Sequence, residues 1–216
     1  MLNSIKFVAK KKVLDFTVFK PTAIADALIL EKVSRGDSLN DTEMAHYNRV
    51  YARFNKICEL AYKNDVKILV DAEESWIQDA IDEIVLKMMI KYNGNKAVVF
   101  NTSQMYRHDR LEYLRDLYKA SRENNFYIGI KLVRGAYIEK ENKRAKKNNY
   151  LSPICNSKKL TDENFNNGAS FILSNLDLFS LFLGTHNEES IYKIIEIMNS
   201  KEINKDDSSI WFGQLY

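Results

Sequence analysis

The stretch Tyr127-Ile128-Gly129-Ile130-Lys131-Leu132-Val133-Arg134-Gly135-Ala136-Tyr137 decides how the chain is read. Its first seven residues are nearly continuous in apolar character, partly β-branched and too few for a helix. That is how a strand reads when a parallel sheet buries it on both faces. Alternation along the strand puts Lys131 and Val133 on one face, which in a closed barrel is the interior. A lysine pointing inward is costly unless it is paired or functional. Beyond the strand, Gly135-Ala136 removes bulk where a ligand or a helix could approach closely. The residues alone leave Lys131 open between a structural ion pair with Asp71 and a functional role.

Working outward, similar short apolar runs occur at 15–19, 66–70, 97–100, 178–184 and 210–215. Segments of helical period lie between them. One opens at Asp41-Thr42-Glu43 and runs to about Tyr62, with Tyr47, Val50, Tyr51, Phe54, Ile57, Cys58 and Ala61 on one stripe. A second starts at Ser75, repeats apolar residues from Ile77 to Met89, and is followed by Gly94. A third is expected to be capped by Asp109, and others fit residues 137–147, 161–174 and 188–198. Strand and helix alternate with no break in composition, so the fold is α/β and the chain is read as a single domain.

Doubly wound sheets and (β/α)8 barrels both fit that alternation. Polar, reactive residues decide between them, because they follow almost every strand: Lys20, Asp71 with Glu73 and Glu74, Asn101 to Gln104, Arg134, Thr185-His186-Asn187 and Gln214. An open sheet gathers its chemistry at one switch point, whereas a TIM barrel draws it from many strand ends. The barrel is therefore expected, but with six strands where closure needs eight. The expectation is a truncated barrel whose last strand ends near Leu215.

Composition sets the outer bounds. Of 216 residues, 45% are hydrophobic and 28% charged, which excludes intrinsic disorder. No apolar run reaches the length of a membrane span. Lys+Arg number 32 against 29 Asp+Glu, for a net charge of +3 with the signs interspersed, which is no footprint for non-specific nucleic-acid binding. Cys58 and Cys155 cannot form a disulfide framework, and the first residues lack the apolar core of a secretory signal. A reducing, cytoplasmic location is the expectation. Neither Gly-x-Gly-x-x-Gly nor a P-loop is present, so any nucleotide cofactor must be held by side chains and strand-end backbone.

Among candidate site residues, Asp71 stands closest to its strand and is not explained as a helix cap. Glu73 and Glu74 read more simply as acidic residues opening the following helix. His186, directly after a strand, is the histidine of most interest; His46 is expected to face solvent and His108 to sit at a helix entrance. A class I aldolase-like reaction through a Schiff base on Lys131 or Lys20, and a metal site of Asp71, Glu73 and His186, are the competing chemistries. For the first, carboxylates near the lysine oppose the loss of its proton that the nucleophile needs.

At these positions the sequence resembles the proline dehydrogenase family, stand-alone bacterial members above all. Six pieces occur in the family's order: Phe19-Lys20-Pro21-Thr22-Ala23, Val70-Asp71-Ala72-Glu73, Phe100-Asn101-Thr102-Ser103-Gln104, Lys131-Leu132-Val133-Arg134-Gly135-Ala136-Tyr137, Gly184-Thr185-His186-Asn187-Glu188 and Phe212-Gly213-Gln214-Leu215. The resemblance implies a modified (β/α)8 barrel carrying FAD over its strand ends, which oxidises L-proline to 1-pyrroline-5-carboxylate by hydride transfer to the flavin. A quinone would take the electrons onward, with peripheral contact to the inner membrane. It also implies that Lys20 binds the substrate carboxylate with Asp71 as its ion-pair partner, and that Tyr137 lines the proline site. Lys131 falls at a basic position near the flavin's reactive nitrogen. Ala72, Gln104, Val133, Arg134, Gly135, Ala136, Thr185 and His186 are the implied flavin contacts. Two departures stand out: many members exchange the Lys131 and Arg134 residue types, and the family's adjacent arginine pair on its last helix lies beyond this sequence. A catalytically incomplete piece of that barrel is the remaining alternative.

Overall fold

The computed structural model describes residues 1–11 and 15–214. The chain forms two compact units, Met1–Asn101 with Asn125–Tyr127, and Thr102–Asn124 with Ile128–Tyr216. The first unit holds α1 (Leu2–Lys11), β1 (Phe16–Phe19), a 3-10 turn (Pro21–Ala23), α2 (Ala27–Ser34), α3 (Asp41–Lys63), β2 (Lys67–Val70) and α4 (Ser75–Tyr92). It also holds the first half of β3 (Val99–Gln104). β1 runs parallel to β2 with Phe19 opposite Val70, and β2 parallel to β3 with Val70 opposite Asn101.

The expected helical stripes supply the buried faces, except that Tyr47 and Tyr51 of the α3 stripe are only half-buried. Val50, Phe54, Ile57, Cys58 and Ala61 form the inner face of α3, and the run from Ile77 to Met89 that of α4. α3 begins at Asp41, where the acidic signal stands, and its cap is the residue before it. Asn40 accepts the Glu43 amide at 2.9 Å, and the Glu43 carboxylate accepts the Asn40 amide at 3.1 Å, a reciprocal capping box. α1 and α2 were not legible as helices. α1 buries only Ile5 and Val8, and α2 spans two turns set off by Asp26, whose carboxylate accepts the Leu28 amide at 2.8 Å. His46 is half-buried rather than solvent-facing.

α4 does not end on its glycine, since Gly94 has no positive φ. Its end is made by Asn93, which is fully buried and makes four hydrogen bonds. The amide nitrogen donates to the Val99 and Tyr127 carbonyls, both at 2.9 Å; the amide oxygen accepts Val98 N–H at 3.0 Å and Val99 N–H at 2.9 Å.

The second unit continues with the rest of β3, then α5 (Arg110–Asn124), β4 (Ile128–Val133), α6 (Ile138–Asn148), α7 (Lys158–Leu173), β5 (Phe179–Gly184), α8 (Glu188–Ser200) and β6 (Ile210–Gly213). β4 and β5 are parallel with Lys131 opposite Phe182, and β5 and β6 with Phe182 opposite Trp211. The strands follow one another in the order β1-β2-β3-β4-β5-β6. This is the succession of a (β/α) barrel, of which the described residues supply six strands. Leu215 lies outside the described residues.

β5 alternates cleanly, Phe179, Leu181 and Leu183 buried and Ser180, Phe182 and Gly184 half-buried. β3 departs from expectation. Asn101, Thr102, Ser103 and Gln104 do not follow the strand but form its last four residues, all buried.

Asp109, expected as a cap, directly precedes α5, and its carboxylate binds two guanidinium groups. Arg107 donates from Nε at 3.0 Å and Nη2 at 2.6 Å; Arg110 donates from Nε at 3.2 Å and Nη2 at 2.7 Å. Burial works to raise this carboxyl, but the hydrogen bonds from Arg110 and Arg107 overcome it and hold it well below the usual carboxylate range. A depressed folded-state value contributes stability above the unfolded value and loses it as pH falls toward the folded one. Urea midpoints measured downward from pH 6 should therefore drop below about pH 4, where an unfolded aspartate begins to bind its proton. Asp109→Asn should flatten that part of the slope.

Candidate functional site

In the first unit, the parallel register of β1 and β2 sets two candidate residues side by side. Phe19 is opposite Val70, and Asp71 N–H donates to the Phe19 carbonyl at 2.9 Å, so Lys20 and Asp71 leave the ends of neighbouring strands together. Lys20 is exposed, Asp71 half-buried and Ala72 buried.

Glu73 is not a helix opener; Glu74 holds the N-cap position of α4 instead. Glu73 is buried, and its two carboxylate oxygens accept Thr22 N–H at 2.7 Å and Thr22 Oγ1–H at 2.6 Å. Nothing in the local sequence could reveal a bond across 51 positions. Among the described residues no three His, Cys, Asp or Glu side chains gather as a metal site would require.

The second unit assembles its candidates at the ends of β3, β4 and β5. Gln104 Oε1 accepts Ala136 N–H at 3.2 Å, while Met105 and Tyr106 N–H donate to the Val133 and Arg134 carbonyls at 2.8 and 2.7 Å. The Arg134 guanidinium is committed on three sides, from Nε to Asp162 at 2.6 Å, from Nη1 to Thr185 Oγ1 at 2.7 Å and from Nη2 to Ser190 Oγ at 2.9 Å. It lies 4.5 Å from the centre of the Phe165 ring. Burial acts to raise the Asp162 carboxyl, but hydrogen bonds from Lys158 and Arg134 prevail and keep it low. Arg134 thereby ties the end of β4 to α7, to the end of β5 and to α8. Asp162 and Ser190 were missed by sequence reasoning, since neither stands in a recognisable pattern with Arg134.

Gly135 carries a φ of +133°, and a Cβ there would lie 2.5 Å from the buried Tyr106 ring. The backbone at Gly135 is therefore open on one side and floored by an aromatic ring on the other. A cavity of about 500 Å3 adjoins it, with Tyr106, Arg134, Gly135, Ile138, Lys158 and Thr161 in its wall. Lys131 and Val133 share the half-buried face of β4, as alternation required, while Ile130 and Leu132 are fully buried. Tyr137 is half-buried at the start of α6, and His186 is exposed. Side-chain-poor backbone, a fixed guanidinium, a lysine and the first turn of α7 are donors suited to a phosphate-bearing flavin nucleotide. Of the second unit's candidates, Arg134 and Gly135 stand in the wall of this cavity, and their chemistry is compatible with such a cofactor.

A family model described as proline dehydrogenase matches residues 2–216. The carbapenem antibiotics biosynthesis protein CarD of Pectobacterium carotovorum subsp. carotovorum is 32% identical over 219 residues, covering 100% of this chain and 56% of that protein. The mitochondrial proline dehydrogenase 1 of Drosophila melanogaster is 37% identical over 180 residues, covering 78% of this chain and 26% of that enzyme. Proline utilization A from Bdellovibrio bacteriovorus, in a crystal structure inactivated by N-propargylglycine, has the same fold. The TM-score is 0.85 at 17% identity, over 100% of this chain and 23% of that one. The chain spans little more than half the length of the first of these relatives and about a quarter of the other two.

Proposed function

Because the chain belongs to the proline dehydrogenase family, we propose that it serves the FAD-dependent oxidation of L-proline to 1-pyrroline-5-carboxylate. The electrons then pass to a quinone at the cytoplasmic surface of the inner membrane. The observation that carries this reading is the β1–β2 register that brings Lys20 and Asp71 off neighbouring strand ends.

FAD, when bound, supplies the two-electron acceptor. In the second unit Gln104, Val133, Arg134, Gly135 and Ala136 would hold it with Thr185 and His186. Arg134 acts less as a free cation than as the brace that keeps these strand ends in place. Lys131 presents a cation where negative charge develops, a preorganised electrostatic contribution. Lys20 grips the substrate carboxylate and so orients the ring, Asp71 pairs with Lys20, and Tyr137 lines the proline. Oxidation at the carbon beside nitrogen requires the amine without its extra proton, so the rate is expected to rise with pH until the amine is neutral.

The test is a visible spectrum of the purified chain with FAD, followed by anaerobic L-proline. Bound flavin bands that bleach on adding proline support the reading. Bands that bind but stay oxidised leave a cofactor scaffold without proline chemistry, and absence of bound flavin removes the proposal. Lys131→Ala should retain flavin and slow the bleaching about a hundredfold.

A further inference from the structure

Glu73 poses a physical question that the proposed chemistry does not answer. Its carboxylate is buried, which disfavours a charge unless strong donors compensate. The compensation comes from Thr22, which approaches with its backbone N–H at 2.7 Å and its hydroxyl at 2.6 Å, one to each carboxylate oxygen. Thr22 is the centre of the 3-10 turn, and that turn is closed by Ala23 N–H donating to the Lys20 carbonyl at 3.0 Å. The moored turn therefore begins at Lys20.

Glu73 is itself held from behind. Its N–H donates to Gln78 Oε1 at 2.9 Å, and Gln78 Nε2 donates to Asp82 Oδ1 at 2.7 Å. Asp82 Oδ1 also accepts Asn101 Nδ2–H at 2.8 Å, from within β3. A chain of hydrogen bonds thus runs from the middle of β3 through α4 to the turn after β1. Glu73, Gln78 and Asn101 are all buried. An apolar side chain at position 73 would pack without any desolvation cost, but it would leave the turn free to slide. A carboxylate gripping two donors of one residue fixes its orientation.

We infer that Glu73 is a positioning residue for the substrate: by mooring Thr22 it sets where the Lys20 ammonium is presented, beside Asp71. The inference rests on the reading of Lys20 as the grip for the substrate carboxylate. Glu73 acts through Thr22 and the turn rather than as a grip of its own.

The test uses the FAD-loaded chain, wild type and with Glu73→Ala, Glu73→Gln, Thr22→Ala or Lys20→Ala. Two quantities are read: hydrogen exchange of the amides in residues 22–24, and the L-proline concentration giving half-maximal anaerobic bleaching. Glu73→Ala should speed exchange in the turn and raise the half-saturating proline concentration, each about tenfold, with flavin still bound and the maximal rate within about threefold. Glu73→Gln, which keeps an acceptor for the Thr22 amide, should rescue both to within about threefold of wild type.

Thr22→Ala removes one of the two bonds and should fall between them; it carries the test if Glu73→Ala does not fold. Unchanged exchange in the turn overturns the inference. So does faster exchange with unchanged half-saturation, provided Lys20→Ala raises it. If Lys20→Ala also leaves half-saturation unchanged, the substrate reading fails and takes the inference with it. That failure is told apart because the exchange data still show a moored turn.

Discussion

Asn93→Ala is expected to destabilise the first unit by roughly 4 kcal/mol. The side chain is completely buried and serves two donors and two acceptors of the backbone, and three of the four bonds are buried as well, the one to the Tyr127 carbonyl being part-buried. Each bond is worth only about 1 kcal/mol net, but an orphaned buried partner costs its full desolvation. The control is Asn93→Asp. It preserves the acceptor for Val98 and Val99 N–H, yet turns the donor side into an oxygen facing the Val99 and Tyr127 carbonyls. It should be no better than alanine. Equilibrium urea unfolding checks both, and midpoints within experimental error of wild type would mean that the four bonds add nothing to stability.

Gly135→Ala is expected to cost about as much in the second unit, roughly 4 kcal/mol, or a fall of about 10 °C in Tm. Two penalties combine. The φ of +133° is one that residues with a Cβ rarely adopt, and the new methyl would stand 2.5 Å from Cδ1 and Cε1 of Tyr106. The ring cannot swing aside, because Tyr106 is only 1% exposed. The two penalties separate in a double-mutant cycle. In a Tyr106→Leu background the clash is relieved and the alanine should cost only the backbone strain, about 1–2 kcal/mol. An unchanged penalty in that background would show that contact with the ring is not the cause. Flavin affinity should fall in parallel with stability if the backbone at 134–136 holds the cofactor.

The outline of the fold could be read from the chain because its signals are local. Strand runs such as 128–133 are short and apolar, the stripes of α3 and α4 repeat at helical spacing, and polar residues at the strand ends pointed to a barrel rather than an open sheet. Where partners come from far away, reading failed. Asn101 to Gln104 look like a polar loop because the groups that satisfy Asn101 and Gln104, Asp82 and Ala136, stand 19 positions before and 32 after. Glu73 looked like a helix opener because Thr22 is 51 positions away. Asn93 was overshadowed by Gly94, the conventional helix terminator, although side-chain bonds rather than a left-handed backbone end α4. The candidate site was legible as residues and motifs; the brace made by Arg134 with Asp162, Thr185 and Ser190 was not.

The two cysteines have a practical consequence. One lies in each unit: Cys58 in α3 of the first, Cys155 between α6 and α7 of the second. Burial pushes the Cys58 thiol up to about 12, and the half-buried Cys155 is shifted in the same direction, chiefly by burial. Since the thiolate is the reactive form, folding slows alkylation of both sulfurs, that of the fully buried Cys58 far more than that of Cys155. Opening a unit restores the ordinary reactivity of its own cysteine alone. The native chain thus carries an internal clock for each half, and the position of the modified residue, found by peptide mass mapping, names the half that opened first.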